Sequence, residues 1–208
     1  EMGKDCLSIH LTLVPFLPTA AELKTKPTQH SVKTLLEQGV QPDIIVCRTC
    51  KSLTEQMRNK IALFCNVELD AVIESIDAET IYDVPLLMRD EKLDKVALRK
   101  MNLEAKKVLK LKEWEKFLFK LKNPKTEVLI YLVGKYIELK DAYLSINEAF
   151  IHAGAVLQIK VNLVKVHSET LMPDTYEDIL SEADGVLVAP GFGGRGFEGK
   201  ILAVKYAR

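Results

Sequence analysis

Along the first part of the chain, some segments have the hydrophobic pattern of a strand and others have the pattern of a helix. Short, largely apolar runs predict strands at 10–17, 43–48 and 71–76. Residues 28–38 place apolar side chains at helical spacing and end before Gly39, and residues 54–65 do the same after a capping Thr54. A short helical or mixed segment is predicted at 81–88. This alternation of strands and helices is typical of a parallel α/β sheet.

The same alternation returns after residue 126. The predicted elements there are strands at 128–133, 159–166 and 185–189, with helices at 141–153, 175–183 and 199–207. Between the two regions, residues 89–125 are rich in lysine and glutamate and repeat apolar residues at helical intervals, which predicts one or two amphipathic helices. The chain is therefore predicted to hold parts of two α/β domains with a helical connector between them.

Composition narrows the class of protein. Hydrophobic residues make up 48% of the 208 positions, which is ample for buried cores. Lysine plus arginine (29) equals aspartate plus glutamate (29), so no broad surface for nucleic acid is expected. No apolar run approaches the roughly 20 residues that cross a bilayer, and the start of the chain lacks the pattern of a secretory signal. These features predict a globular cytoplasmic protein with neither a nucleic-acid nor a membrane partner.

The four cysteines are weak evidence for a redox or metal site. Cys6, Cys47, Cys50 and Cys65 are scattered through the first third of the chain, unlike a disulfide framework. Cys47 and Cys50 have the spacing of a redox motif or of half a zinc site, but no second Cys or His pair accompanies them at a useful spacing. We interpret them as small residues at a strand end, with a redox or zinc role as the alternative, and predict no metal ligands in this chain.

Positive charge is concentrated between the first strand and the first helix. The segment consists of Lys24, Thr25, Lys26, Pro27, Thr28 and Gln29. Two ammonium groups on one short loop repel each other unless an anion lies between them, and a helix that begins near Thr28 adds its positive N-terminal dipole. A triphosphate satisfies this arrangement, and Gln29 can both donate to and accept from a base or sugar. The alternative is ordinary solvent-exposed charge.

A glycine-rich loop, 191–196, directly follows the last predicted strand, where open α/β sheets place ligand crevices. Glycines let backbone N–H groups turn toward a phosphate or a developing oxyanion. The loop matches neither the Walker nor the dinucleotide pattern, so an oxyanion-binding or strained turn fits better, with a merely tight turn as the alternative. No nucleophile and base pair is assignable, and His10, His152 and His167 are interpreted as structural.

Taken together, these residues resemble the CTP synthase family, whose members aminate UTP with ammonia from glutamine. The matching segments keep their order along the chain and are 10–15, 24–32, 42–48, 60–65, 133–136 and 191–196. The resemblance is to bacterial members and implies an internal fragment. Residues 1–100 would end a P-loop-like synthetase (amidoligase) domain, 101–126 would form the linker, and 127–208 would begin a class I glutamine amidotransferase domain, both domains being three-layer α/β folds.

The resemblance also implies roles for individual residues in a ligase that forms a C–N bond from UTP, ATP and glutamine with Mg²⁺. UTP and the product CTP would contact Lys24, Thr25, Lys26, Pro27, Thr28, Gln29 and Lys60. ATP would contact Ile76, Asp77 and Ala78, although Ile76 replaces a lysine of some members. Gly191 would bind glutamine and help to form the oxyanion hole, in a loop where Ala189-Pro190 replaces the family's usual Pro-Gly.

The resemblance finally implies that the phosphate-binding loop, the magnesium ligands and the catalytic cysteine with its histidine and glutamate lie outside these residues, the triad beyond Arg208. We therefore expect the 208 residues alone neither to hydrolyse glutamine nor to make CTP. Homotetramers, sometimes assembled into filaments, are expected from the family. The alternatives are a non-catalytic nucleotide-binding or regulatory module and a stand-alone amidotransferase-like protein, which would leave residues 1–90 unexplained.

Overall fold

A computed structural model describes residues 5–105, 110–139 and 141–208. The strands are β1 (Ile9–Leu13), β2 (Phe16–Leu17), β3 (Glu22–Leu23), β4 (Ile44–Thr49), β5 (Val72–Ile76), β6 (Thr126–Gly134), β7 (Ile159–His167) and β8 (Gly185–Val188). The α-helices are α1 (Lys26–Glu37), α2 (Glu55–Cys65), α3 (Val84–Asp90), α4 (Leu93–Lys100), α5 (Lys112–Lys122), α6 (Leu144–Leu157), α7 (Tyr176–Leu180) and α8 (Phe197–Ala207). Each predicted strand and helix is present, with ends that differ by a few residues, except that the predicted strand 10–17 is divided into β1 and β2, which belong to different sheets.

Contacts divide the chain into two compact units, Glu1–Leu111 and Lys112–Arg208. The helix Lys112–Lys122, which lies in the predicted linker, belongs to the second unit. Residues 106–109 of that linker are outside the described residues. The division at residues 111 and 112 is a property of this chain, whereas the boundaries at 100 and 126 stay a prediction.

The first unit contains a parallel sheet in the order β1-β4-β5. Ile9 pairs with Ile44 at one end of the β1–β4 ladder, and Thr49 pairs with Ile76 at the end of the β4–β5 ladder. Residues 44–47 of the central strand are all buried, as expected for a strand covered on both faces. A small antiparallel hairpin of β2 and β3 lies between β1 and α1. The predicted parallel α/β architecture is confirmed.

Alternate residues of β4 pack into two separate cores, because successive side chains of a strand point to opposite faces. One cluster joins Ile45 and Cys47 to residues of α1 and α2, among them Val32, Ile61 and Cys65. The other joins Ile44 and Val46 to Ala71, Ile73 and Val96, the last on α4. Helices therefore cover both faces of the sheet, which makes the first unit three-layered.

An ionic network ties α2 to β5 and to the end of α3. Arg58 Nη1 donates to Glu91 Oε2 (2.7 Å) and to the Val72 carbonyl (2.9 Å), while Nη2 donates to Glu91 Oε1 (3.0 Å) and to Glu74 Oε2 (3.4 Å). The Glu74 N–H donates to Glu91 Oε2 at 2.8 Å, and the Leu53 N–H donates to Glu74 Oε2 at 2.5 Å. One guanidinium thus connects three elements of the unit.

Glu91→Gln is expected to lower the free energy of unfolding by about 2 kcal/mol at pH 7, because a half-buried Arg58 loses a charged partner. Burial raises the pKa of Glu91, but the hydrogen bonds from Arg58 and the Glu74 backbone, with the Arg58 charge, outweigh burial and hold that pKa below its usual range. A lowered pKa contributes stability above the unfolded value, about 4.3, which is lost as pH falls through the folded value.

Urea denaturation at pH 7 and pH 4 measures this effect. The difference between wild type and Glu91→Gln should shrink at pH 4. Asp90→Asn is the matched control, since Asp90 is exposed and, among the described residues, forms an ion pair only with its neighbour Arg89 (3.0 Å), so its loss should change stability by less than about 1 kcal/mol. Equal effects of both substitutions at pH 7 would contradict the assignment.

The second unit repeats the design with a parallel sheet in the order β7-β6-β8. Gly134 pairs with His167, and Val133 pairs with Val188. The core is formed by residues of β6 and β7, the following turn, and α7 and α8: Tyr131, Val133, Val166, Leu171, Tyr176, Leu180 and Ala203. α5 packs on α6, where Phe117 and His152 form an edge-to-face pair with ring centroids 5.6 Å apart. That contact agrees with a structural role for His152.

In each of the two three-stranded sheets the strands run parallel, so their carboxyl ends share one edge, which is where α/β proteins place their ligand sites. In the first unit the helices α1 and α2 begin at this edge. In the second unit, Lys135, His167 and Ala189 follow or end the three strands there. No helix in the part of the chain that the structure describes is long and apolar enough to span a bilayer.

Candidate functional site

A cavity of about 440 Å³ opens at the carboxyl edge of the first sheet. It is lined by residues of the β2–β3 hairpin and of the first turns of α1 and α2: Glu22, Leu23, Lys24, Thr25, Lys26, Thr54, Gln56, Met57 and Lys60. The fold therefore brings Lys60 to the lysine loop 24–26, from which it is separated by more than thirty residues in sequence. Three lysines from two segments line one cavity.

The start of α1 faces this cavity with unsatisfied backbone donors. The helix begins at Lys26, two residues before the predicted start, because Pro27 fits the first turn. Thr25 precedes the helix without capping it, since its hydroxyl instead accepts from Gln29 Nε2 at 3.3 Å. The first N–H groups of a helix have no acceptor within the helix, so the positive end of the dipole lies beside Thr25 and Lys26.

A second helix start lines the other side of the cavity. Thr54 caps α2 by accepting from the Met57 N–H at 3.3 Å. Gln56 and Lys60 are four residues apart on the helix, and this spacing places them on one face, which lines the cavity. The cavity therefore receives two helix N-termini and an amide side chain in addition to its lysines.

The charges in the cavity are not balanced. Lys24 forms an ion pair with Glu22, and both side chains are partly exposed. Lys26 and Lys60 are exposed, and no ion pair joins either of them to a carboxylate of the described residues. Three lysines face one carboxylate among the lining residues. The cavity is thus suited to a ligand with more than one negative charge, and an oligophosphate is such a ligand.

The remaining residues of the predicted segment do not line the cavity. Thr28 is fully buried, where its hydroxyl donates to the Leu13 carbonyl and accepts from Thr12 Oγ1, both at 3.3 Å. It thereby fixes the start of α1 to the end of β1. Pro27 and Gln29 lie in the first turn of α1, outside the cavity lining. In this structure these residues position Thr25 and Lys26, and direct contact of Pro27, Thr28 or Gln29 with a ligand stays a prediction.

The residues predicted to contact ATP end β5 at the same edge of the sheet. The Asp77 N–H donates to the Thr49 carbonyl at 2.9 Å, and Asp77 Oδ1 pairs with Arg48 Nη2 at 3.4 Å. Ala78 is exposed and Ile76 is half-buried. None of the three lines the cavity described above. Their contact with ATP therefore stays a prediction.

Two lysines hold the glycine loop of the second unit. Lys135 is only 2% exposed, and its Nζ donates to the carbonyls of Phe192 (2.7 Å) and Gly193 (2.6 Å). Lys200 Nζ donates to the Ala189 carbonyl at 2.8 Å. Gly193 has φ +81° and Gly196 has φ +66°, a region that favours glycine. The loop is a constrained turn, whereas the predicted role of Gly191 in binding glutamine stays a prediction.

The cysteines occupy two different environments. Cys47 and Cys65 are buried, and burial raises the pKa of Cys47 to about 12 and that of Cys65 to about 11. Cys50 is exposed, and the raised pKa of Cys47 is opposite to the lowered pKa that activates a reactive thiol. Within the described ranges, no three His, Cys, Asp or Glu side chains are grouped as metal ligands.

The thiols should react in two classes. In the folded protein at pH 8, Ellman's reagent is expected to modify Cys6 and Cys50 rapidly, whereas Cys47 and Cys65 stay protected because they are buried and because a raised pKa keeps them protonated. All four thiols should react in denaturant. Cys50→Ser should remove one rapid equivalent. Rapid modification of Cys47 in the folded protein, mapped by mass spectrometry, would contradict this assignment.

The sequence reasoning missed part of each site. Thr54, Gln56 and Met57 line the cavity, and Lys135 holds the glycine loop, yet none of them is among the predicted site residues, although Thr54 is predicted as a helix cap. The sequence nevertheless contained an indication of the position of all four residues. Helices that follow neighbouring parallel strands begin at the same edge of a sheet, and Lys135 directly follows a predicted strand. Glu22 carried no comparable signal, because its pairing with Lys24 depends on the hairpin.

Two family models match the chain. Residues 1–103 match the model described as CTP synthase N-terminus. Residues 138–208 match the model described as Glutamine amidotransferase class-I. The first match contains the cavity with its three lysines, and the second contains the glycine loop and Lys200.

Curated relatives are similar to the whole chain. CTP synthase of Flavobacterium psychrophilum is 64% identical over 209 residues, covering 100% of this chain and 39% of the relative. That of Cytophaga hutchinsonii is 62% identical over 209 residues, with 100% and 39% covered, and that of Methanocaldococcus jannaschii is 52% identical over 215 residues, with 100% and 40% covered. The chain thus spans about two fifths of the length of these relatives. The resemblance inferred from the residues is confirmed, and the chain belongs to the CTP synthase family.

Proposed function

We propose that this chain takes part in the ATP-dependent amination of UTP to CTP, in a ligase that forms a C–N bond with ammonia released from glutamine. The observation that carries the proposal is the cavity lined by Lys24, Lys26 and Lys60, in a chain that belongs to the CTP synthase family. UTP and CTP both carry a triphosphate, which matches the excess of positive charge in this cavity. The cavity serves as their phosphate site.

In this proposal the three lysines neutralise the phosphates, and the N-termini of α1 and α2 add backbone donors and dipole. Thr54 and Gln56 supply neutral hydrogen-bonding groups at the rim. Ile76, Asp77 and Ala78 contact ATP at the neighbouring strand end. Gly191 belongs to the glutamine-binding loop of the second unit. The proposal also includes homotetrameric assembly, with filaments as a further state, and a cytoplasmic location.

The residues that line the cavity do not fit a magnesium site. Glu22 is the single carboxylate among the residues that line the cavity, and it pairs with Lys24. We therefore derive no step through Mg²⁺ from these side chains. All four cysteines belong to the first unit, so none is proposed as the nucleophile of glutamine hydrolysis. The part of the reaction assigned to this chain is the binding of nucleotide and glutamine.

Calorimetry tests the binding half of the proposal. The chain is titrated with UTP, CTP, UMP and uridine at low salt. We expect the two triphosphates to bind, UMP to bind more weakly, and uridine to show no measurable binding, because the cavity recognises phosphate. Equal affinities for UTP and uridine would overturn the phosphate assignment.

A chimaera tests the catalytic half. This chain replaces the matching segment of the Flavobacterium psychrophilum relative, with which it aligns over its full length. We expect the chimaera to form CTP from UTP, ATP and glutamine. A folded chimaera that binds UTP yet forms no CTP with either glutamine or ammonia would instead favour the non-catalytic nucleotide-binding module.

A further inference from the structure

The carboxyl edge of the second sheet carries two ammonium groups side by side. A Cβ atom placed on Gly191 would lie 3.4 Å from Lys135 Cδ and 3.4 Å from Lys200 Nζ, so both lysines border the same glycine. Neither forms an ion pair with a carboxylate of the described residues. Their partners are instead three backbone carbonyls of one loop, those of Ala189, Phe192 and Gly193.

Burying an ammonium group beside a second one costs free energy, which its hydrogen bonds must offset. Lys135 is almost fully buried, and a buried ammonium loses its hydration and is repelled by a second ammonium nearby. A methionine would fill the same space without either penalty. What the lysine provides, and a methionine could not, is a pair of short charge-assisted hydrogen bonds at 2.7 and 2.6 Å.

Capturing a carbonyl also fixes the direction of the next N–H group. In a planar trans peptide the C=O and the following N–H point in opposite directions. Because Lys135 holds the carbonyls of Phe192 and Gly193, the N–H groups of Gly193 and Gly194 point away from the lysine. The space on those two glycines is open, since a Cβ placed on either meets no atom within 4 Å.

Lys200 acts at the other end of the loop. It holds the carbonyl of Ala189, the buried residue that follows β8, and the next residue, Pro190, has no N–H to orient. Lys200 therefore fixes the direction in which the chain leaves the sheet, whereas Lys135 fixes the peptide groups beyond Gly191.

We propose that Lys135 and Lys200 are positioning residues, which clamp the carbonyls of the glycine loop so that its N–H groups are directed at the carboxamide and developing oxyanion of glutamine. The assignment of glutamine rests on the proposed function, whereas the clamp itself rests on the hydrogen bonds alone.

The clamp is tested first in the chain as it is, by NMR of ¹⁵N-labelled protein. Lys135→Met should change the amide ¹H and ¹⁵N shifts of Gly193 and Gly194, because the peptide groups that carry these two N–H groups lose the hydrogen bonds that fix their direction. Lys165→Met, an exposed lysine of β7, is the control and should leave both amides unchanged. Unchanged loop amides in a folded Lys135→Met protein would overturn the clamp.

A titration reports directly on the two ammonium groups. Burial, followed by the nearby charge of Lys135, lowers the pKa of Lys200. Removing the Lys135 charge should therefore raise the pKa of Lys200, as followed by its ¹³Cε shift. An unchanged Lys200 titration would show that the two groups do not share one environment in solution, and would overturn the paired clamp.

The chimaera described above then separates the clamp from the proposed function. Lys135→Met should lower kcat for glutamine hydrolysis about tenfold with little change in KM, because the loop amides act on the developing oxyanion. Lys200→Met should do the same to a smaller extent. CTP formation from added ammonia should be unaffected. Normal glutamine hydrolysis with altered loop amides would overturn the positioning role, whereas loss of the ammonia-dependent reaction in the unsubstituted chimaera would count against the proposed function instead.

Discussion

Gly199→Ala is expected to lower the free energy of unfolding of the second unit by about 3 kcal/mol. The reason is the closeness of two backbone segments. A Cβ atom on Gly199, in the first turn of α8, would lie 1.7 Å from the carbonyl oxygen of Ser168 and 3.3 Å from Leu171 Cβ. A backbone oxygen cannot rotate away as a side chain could, so the short turn at Ser168–Thr170 and α8 must move apart.

The close packing of Gly199 on Ser168 also positions the glycine loop, because α8 begins where that loop ends. Thermal or urea denaturation measures the loss, with far-UV circular dichroism as the probe. Gly194→Ala is the control, since a Cβ there meets no atom within 4 Å and Gly194 is not among the residues with positive φ. It should be neutral or stabilising by less than about 1 kcal/mol. Similar losses in the two variants would show that glycine is needed for loop flexibility and not for helix packing.

Periodicity predicted the elements of this chain because each one has a simple pattern of burial. The run 44–47 is apolar at every position because both of its faces are covered, and Ile45 and Ile44 do enter separate cores. Thr54 was identified as a cap from its place before an apolar repeat, and it accepts the expected hydrogen bond. These features are local, so the sequence displays them directly.

Features that depend on approach between distant segments were not predictable in the same way. Gly199 looks like an ordinary small residue in a helix until Ser168 is placed beside it. Lys135 and Gly193 are far apart in sequence, and nothing in either stretch indicates that an ammonium will hold that carbonyl. The strands β2 and β3 have two residues each, too few for a period, yet the hairpin they form carries Glu22 to Lys24.

The lysine loop contains features of both kinds, those visible in the sequence and those that depend on distant segments. Charge density alone indicated Lys24 and Lys26 as an anion site, and both line the cavity. Thr28 was placed in the same group, although its hydroxyl is directed into the protein and joins α1 to β1. A hydroxyl beside two lysines has the same appearance in a sequence whether it contacts a ligand or a backbone carbonyl. The distinction requires the position of β1.

Lys26→Ala is expected to weaken binding of UTP and CTP by about thirtyfold, and Lys26→Glu by more than a hundredfold, because a charged hydrogen bond contributes about 1.5–3 kcal/mol. Lys26 is the best choice among the three lysines. It lies at the start of α1, where the helix dipole adds to its charge, and no carboxylate of the described residues pairs with it, whereas Glu22 pairs with Lys24. Calorimetry at low and moderate salt measures the loss, which should diminish as salt screens the charges.

Lys33→Ala is the matched control, since Lys33 lies two turns further along the same helix, is exposed and does not line the cavity. It should leave the affinity for UTP within a factor of about two, because an exposed charge separated from the phosphates by two turns, roughly 10 Å, is largely screened. In the chimaera, Lys26→Ala should weaken the use of UTP and inhibition by CTP while leaving basal glutamine hydrolysis intact, because glutamine is assigned to the other unit. Equal loss of both half-reactions would mean that Lys26 supports the fold, and the cavity would then lose its assignment as the nucleotide site.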